Sequence, residues 1–304
     1  MKPTLSTDLA GIELATPVIA AAGCLRSGKE LQGLVDLRKL GGVVTTTVTA
    51  DPRAGSPTPR VVETPSGILY SIGMQNPGVD AFVKGELQEL LKIGIPVIVS
   101  VGGSSVEEFV RVSTAVAHAS GVVGLELNLS CFDEERGGTF AYRADRAGEV
   151  TGAVSRLTRL PVFSKLTADS HDIVDIAGSC VHAGANGLTL VSGPLGMSMG
   201  LMSMQPQLGG EVGRLSGPAI RPLAIRAVYE VSRALPEVPI MGVGGIMEAT
   251  HAIEMMLAGA SVVQIGTGML VDPSAPIDIA RGLLKYLRAA DLPEPSAIRH
   301  RSVG

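Results

Sequence analysis

The chain has 304 residues, is 45% hydrophobic and 18% charged, and carries a net charge of −4. That composition can build a sizeable core and is far from a disordered one. The small negative charge supplies no basic field for nucleic acid or an anionic membrane, and 3% aromatic residues with no Trp leave few stacking platforms for single strands.

Short apolar, β-branched runs recur along the chain, with helical patterns between them. Strands are expected at residues 17–23, 42–49, 96–102, 124–130, 161–167, 187–192, 239–244 and 261–266. Such runs suit strands buried on both faces of a parallel sheet, and their alternation with helices implies βαβ units. Ser104-Ser105-Val106-Glu107-Glu108 resembles a capping box opening a helix at 107–118. Asp169-Ser170 precedes apolar periodicity at 173–182, and Pro218 precedes a helix at 219–235. Eight strands, each followed by a helix, are the count of a (β/α)8 barrel; a doubly wound open sheet is the runner-up.

Three connections exceed simple turns: 50–77, 131–143 and the Met-rich 193–217. In a barrel they all emerge at the C-terminal face, so long βα loops are expected to cover a pocket there. No linker or low-complexity tract divides the chain, so 1–304 reads as one domain. Cys24, Cys131 and Cys180 lack a CxxC, and His118, His171, His182, His251 and His300 lack ligand spacing, so no disulfide framework or metal site is expected. The N-terminal region lacks a signal-peptide pattern, and a cytoplasmic location is the expectation.

Asn128-Leu129-Ser130-Cys131 places a carboxamide and a thiol at the end of the fourth strand. A lone Cys is usually a small buried hydrophobe. One at a strand end before a polar, glycine-containing loop suits a general base, because an unperturbed thiol titrates near ~8.5. Gly244-Gly245 and Gly266-Thr267-Gly268 end the last two strands, and Ser216-Gly217-Pro218 opens a helix. Loops there commonly hold a phosphate on backbone N–H groups. Lys165 stands in an otherwise uncharged buried-strand pattern. Burying an ammonium is expensive unless it is used, and a cation near a flavin's N1 would stabilise the reduced ring.

At this point the chain resembles the class 1 dihydroorotate dehydrogenases, most closely the 1B type. The match runs through Glu63-Thr64-Pro65, Gly73-Met74-Gln75-Asn76-Pro77-Gly78-Val79-Asp80 and Glu126-Leu127-Asn128-Leu129-Ser130-Cys131. It continues through the Lys165 strand, Leu215-Ser216-Gly217-Pro218-Ala219-Ile220, Gly244-Gly245-Ile246, Leu257-Ala258-Gly259-Ala260 and Gln264-Ile265-Gly266-Thr267. The resemblance implies a barrel carrying FMN, with Cys131 taking a proton while hydride passes to the flavin. By position it places Ala21, Ala22, Gly23, Thr46, Thr47, Ser100 and Val191 beside the flavin. Asn128 and Lys165 then touch its ring or the substrate, and Ser216, Gly217, Gly244, Gly245, Gly266 and Thr267 hold its phosphate. It further implies a homodimer and a possible second subunit carrying FAD and an iron–sulfur cluster.

The chain departs from the family where orotate is gripped. Thr46 stands in place of a Lys, and Tyr70, Asp133 and Ser192 stand in place of Asn; Phe132 replaces a Pro and Ser100 an Asn. Losing a cation and gaining Asp133 should disfavour an anion by like-charge repulsion. The leading expectation is therefore an FMN oxidoreductase acting on a C–C bond beside a carbonyl or amide of a small, cyclic, non-orotate substrate. The alternatives are an authentic dihydroorotate dehydrogenase, a dihydropyrimidine dehydrogenase-like activity, or a non-redox barrel binding a phosphorylated ligand.

Overall fold

Eight parallel strands pair in chain order and close on themselves. The computed structural model describes residues 3–299. The strands are β1 (Val18–Ala20), β2 (Val43–Val44), β3 (Val97–Val101), β4 (Val122–Asn128), β5 (Val162–Thr167), β6 (Gly187–Ser192), β7 (Ile240–Val243) and β8 (Val262–Ile265). β5 pairs with β6 and β8 with β1, so the sheet is the expected (β/α)8 barrel. Val, Ile and Leu dominate because both faces are covered, by barrel interior on one side and helices on the other.

Strand β2 is far shorter than the predicted 42–49. The Thr45 hydroxyl accepts the Ser100 N–H at 3.1 Å, a backbone donor that would otherwise serve the ladder. Pairing resumes at the isolated Val48–Val101 bridge, so Thr46 and Thr47 lie in the interruption.

A hairpin that the sequence reading did not anticipate, Thr7–Leu9 with Ile12–Leu14, precedes β1. Its Leu9, Ile12 and Leu14 are buried with Ile19, Val44, Ile98, Phe163, Met241 and Val262, so it plugs one end of the barrel. That leaves the C-terminal strand ends as the open face.

Helix α1 (Val106–Ala117) starts where the capping signal placed it, with Ser105 Oγ accepting the Glu108 N–H at 3.2 Å. Phe109, Val112 and Val116 recur at helical spacing and are buried on the barrel. Helix α2 (Ile173–His182) follows Asp172, so Asp169 and Ser170 are not its cap. The 219–235 segment is a short turn, Pro218–Ile220, leading into α3 (Arg221–Ala234). The first crossover departs from the pattern: β1 is followed only by the turns Lys29–Leu31 and Leu37–Lys39.

Two of the three long connections are not loops throughout. Segments Leu195–Met197, Val212–Ser216, Gly67–Tyr70 and Val61–Thr64 form a four-stranded antiparallel sheet over the open face. Among the described residues no helix is long and apolar enough to cross a membrane.

Candidate active site

Strand β4 ends in a tight turn that presents the thiol. Asn128 C=O accepts the Cys131 N–H at 3.2 Å, and Asn128 Oδ1 accepts the Ser130 N–H at 3.3 Å. The sulfur of Cys131 sits 3.3 Å from Met74 Sδ. A Cβ at Gly102 would lie 3.0 Å from that sulfur, so only glycine leaves room for it. Cys131 is 3% exposed. Burial pushes its pKa up to about 11, against the Gly103 backbone hydrogen bond and the charges of Arg53 and Arg214. The near-ordinary thiol pKa expected from sequence is corrected by that burial.

Three residues assigned to the flavin form one chain. Asn128 Nδ2 donates to Thr47 Oγ1 at 3.1 Å, and Thr47 Oγ1 shares a hydrogen with Ser100 Oγ at 3.0 Å. The Thr46 and Ser130 hydroxyls are buried without a partner among the described residues. An orphaned buried hydroxyl costs about 1–3 kcal/mol, which a ligand with complementary polar atoms relieves.

Lys165 points into the barrel and pairs with Glu126 at 3.2 Å. The second Glu126 oxygen accepts from Thr189 Oγ1 at 2.9 Å and Gln264 Nε2 at 2.7 Å. Glu126, Thr189 and Gln264 are fully buried. This carboxylate, its two polar neighbours and their role in holding the lysine were missed from sequence. The signal was present: Glu126 is as anomalous in a buried strand as Lys165. The Lys165 charge reaches Tyr70 and also Cys24, whose pKa burial pushes up to about 11. Cys24 lies beside Ala21, Ala22 and Gly23 at this site, whereas Cys180 is buried elsewhere in the core.

The predicted phosphate turns converge. Thr267 Oγ1 donates to Ser216 Oγ at 2.9 Å, and a Cβ on Gly245 would lie 2.9 Å from Gly217 O. Gly245 holds φ +69°, and that Cβ would also sit 2.6 Å from Arg221 Cβ. The backbone N–H groups of Gly217, Gly244, Gly245 and Gly266 have no acceptor among the described residues. A Cβ on Gly266 would meet Ala21 Cβ at 3.8 Å and Cys24 Sγ at 4.0 Å, ordinary van der Waals contacts that put this turn against Ala21 and Cys24. Four unmet N–H donors on converging turns fit the phosphate of FMN.

The positions expected to form the substrate clamp divide. Tyr70 ends a roof strand, directly opposite Arg214, and burial pushes its phenol up. Val191 and Ser192 are buried at the end of β6. Asp133 differs from expectation. Arg146 donates to it at 2.6 and 3.0 Å, the Glu135 and Arg136 N–H groups also reach it, and both side chains are 2% exposed. Arg146 holds this carboxyl below its ordinary range, and the same guanidinium also meets Glu135 and Glu149 at 2.6 Å each. The like-charge repulsion argued from sequence is therefore corrected: Asp133 anchors the loop carrying Cys131. Arg214 was also missed, because the glycine-rich motif was read only from Leu215 onward. Its guanidinium donates to Gly193 O at 2.7 Å, Thr167 Oγ1 at 3.1 Å and Ser130 O at 3.2 Å.

A sequence model of the family described as Dihydroorotate dehydrogenase matches residues 4–287. Similar curated proteins are named dihydroorotate dehydrogenase B (NAD(+)), catalytic subunit. That of Geotalea daltonii is 45% identical over 287 residues, 94% of each chain. That of Geobacter sp. (strain M21) is 39% identical, covering 98% of this chain and 97% of its own. That of Geobacillus kaustophilus is 43% identical, covering 88% and 86%.

Proposed function

Because the chain belongs to the dihydroorotate dehydrogenase family, whose members are FMN-dependent oxidoreductases acting on CH–CH groups, we propose that it oxidises dihydroorotate to orotate. This displaces the non-orotate substrate suggested by the altered clamp. The observation that carries it is the buried Asp133–Arg146 ion pair, with N–O contact at 2.6 Å, which ties the Asp133 carboxylate into the loop so that it is not held against an anionic substrate. The similarity to enzymes named for dihydroorotate supports the same reading.

In this reaction Cys131, as thiolate, takes a proton from the ring methylene, and the adjacent carbon releases hydride, leaving a C=C bond. When bound, FMN supplies the hydride acceptor. Gly217, Gly244, Gly245 and Gly266 hold its phosphate through N–H groups. Ala21, Ala22, Gly23, Thr46, Thr47, Ser100 and Val191 face its ring. Asn128 and Lys165 orient ring and substrate, the lysine kept in place by Glu126. The buried setting of Cys131 excludes water from the proton transfer. The name "catalytic subunit" of the relatives supports a second subunit that carries electrons away.

A second reading, a neutral dihydropyrimidine, is favoured by the uncharged Thr46 and Tyr70. Anaerobic mixing of flavin-loaded enzyme with dihydroorotate or dihydrouracil, followed by flavin absorbance, separates the two. Bleaching by dihydroorotate at micromolar concentration is expected. Bleaching by dihydrouracil alone overturns the first reading.

A further inference from the structure

Of the cationic side chains near the open face, Lys165, Arg53 and Arg146 are each matched by a carboxylate, whereas Arg60 is taken up by Ser56 O, Ala54 O and Gln75 Oε1. Lys165 pairs with Glu126 at 3.2 Å, Arg53 with Glu108 at 3.1 Å, and Arg146 with Asp133 at 2.6 Å. Among the described residues Arg214 has no carboxylate within 4.0 Å, although it is half-buried. Asp169, a carboxylate nearby, is already used by Thr167 Oγ1, by Tyr142 OH at 2.8 Å and by the Leu195 N–H at 3.1 Å.

The guanidinium is nonetheless held firmly. Its Nη1 donates to Thr167 Oγ1 and Gly193 O, and its Nη2 to Ser130 O, so neutral acceptors at the ends of β4, β5 and β6 fix its place. A guanidinium has five N–H donors. Those contacts leave Nε–H and one Nη2–H without an acceptor. A partly buried cation positioned by neutral groups, with donors to spare, is set up for an anion from outside the chain.

Its location selects which anion. Ser130, whose carbonyl it touches at 3.2 Å, adjoins Cys131, and Tyr70 faces it across the roof sheet. In dihydroorotate the carboxylate sits on the hydride-releasing carbon, next to the carbon whose proton Cys131 takes. A cation for that carboxylate must therefore lie close to the base. Thr46, which stands where the resemblance expects a Lys, has no charge to offer.

We infer that Arg214 receives the substrate carboxylate and is the residue that sets this site's preference for an anionic over a neutral pyrimidine. This rests on the dihydroorotate reading and names the group that makes it possible. It also accounts for the roof sheet, which carries a specificity residue from the loop after β6 to the thiol on the loop after β4.

The test is titration of flavin-loaded protein with orotate and with uracil, read by the shift of the flavin spectrum, for wild type, Arg214→Gln and Arg214→Lys. Arg214→Gln should weaken orotate about 10–100-fold, the range of a charge-assisted hydrogen bond, and leave uracil unchanged within about 2-fold. Arg214→Lys, which keeps the charge, should retain most of the orotate affinity. Equal weakening of both ligands, or no change for orotate in Arg214→Gln, assigns the side chain to tethering alone and overturns the inference while dihydroorotate oxidation stands. Wild type that binds uracil but not orotate overturns the dihydroorotate reading itself, and this assignment with it.

Discussion

Burial of Cys131 makes a sharp kinetic prediction. With the thiol pushed up to about 11, its thiolate fraction rises tenfold per pH unit across the whole accessible range. At pH 8 about one molecule in ~1,000 is ionised, against roughly one in four for a thiol at ~8.5. Between pH 9 and 10 the buried thiol gains about tenfold, whereas the ordinary one is nearly titrated and gains only ~1.3-fold. The second-order rate of flavin reduction by dihydroorotate, measured anaerobically by stopped flow, reports the free enzyme's ionisations. It should climb with a slope near one through pH 9–10 without a plateau. Cys131→Ser should reduce the rate by ~10²–10⁴-fold, with FMN still bound. A plateau beginning below about pH 9 would show that the neighbouring Arg53 and Arg214 charges outweigh desolvation. An unchanged rate in Cys131→Ser would remove the thiol from the chemistry.

Arg146→Met should destabilise the fold by about 3–5 kcal/mol, because it strands a buried Asp133 carboxylate; a loss under ~1 kcal/mol in thermal unfolding would refute the pairing. The wild-type pair's contribution is present above the ordinary aspartate pKa and is lost as acid protonates Asp133 through its lowered folded value, so the variant's deficit should shrink below about pH 4. Gly245→Ala should purify with little FMN, since the residue holds φ +69° and its added methyl would lie 2.6 Å from Arg221 Cβ. Full flavin content after acid release and chromatography would place the phosphate elsewhere.

Much of this molecule was legible locally. The β-branched runs specify strands, and their repetition specifies the barrel, because burial on both faces leaves a continuous apolar signature. Gly244-Gly245 and Gly266-Thr267 give the expectation of a phosphate turn, since glycine lets backbone N–H groups approach an anion closely. Cys131 was readable from its place at a strand end. The N-terminal hairpin was readable too, in the alternation of Leu9, Ile12 and Leu14, but went unseen beside the longer runs.

Charge pairing was not legible. Asp133 and Arg146 lie 13 residues apart with a polar loop between, and only the path of that loop turns one onto the other at 2.6 Å. Glu126 and Lys165 meet because β4 and β5 pair in register, placing both side chains inside the barrel. Arg214 reaches Ser130 across 84 residues, through a roof sheet whose strands have partners far away in the chain. Residue type and order thus determined the barrel, the glycine turns proposed to hold the phosphate and the candidate base, all of which follow from nearest-neighbour backbone preferences and burial periodicity. Tertiary structure alone decided which charges are neutralised and which remains available to a ligand, because Coulomb and hydrogen-bond energies depend on distances through space, which sequence separation does not measure.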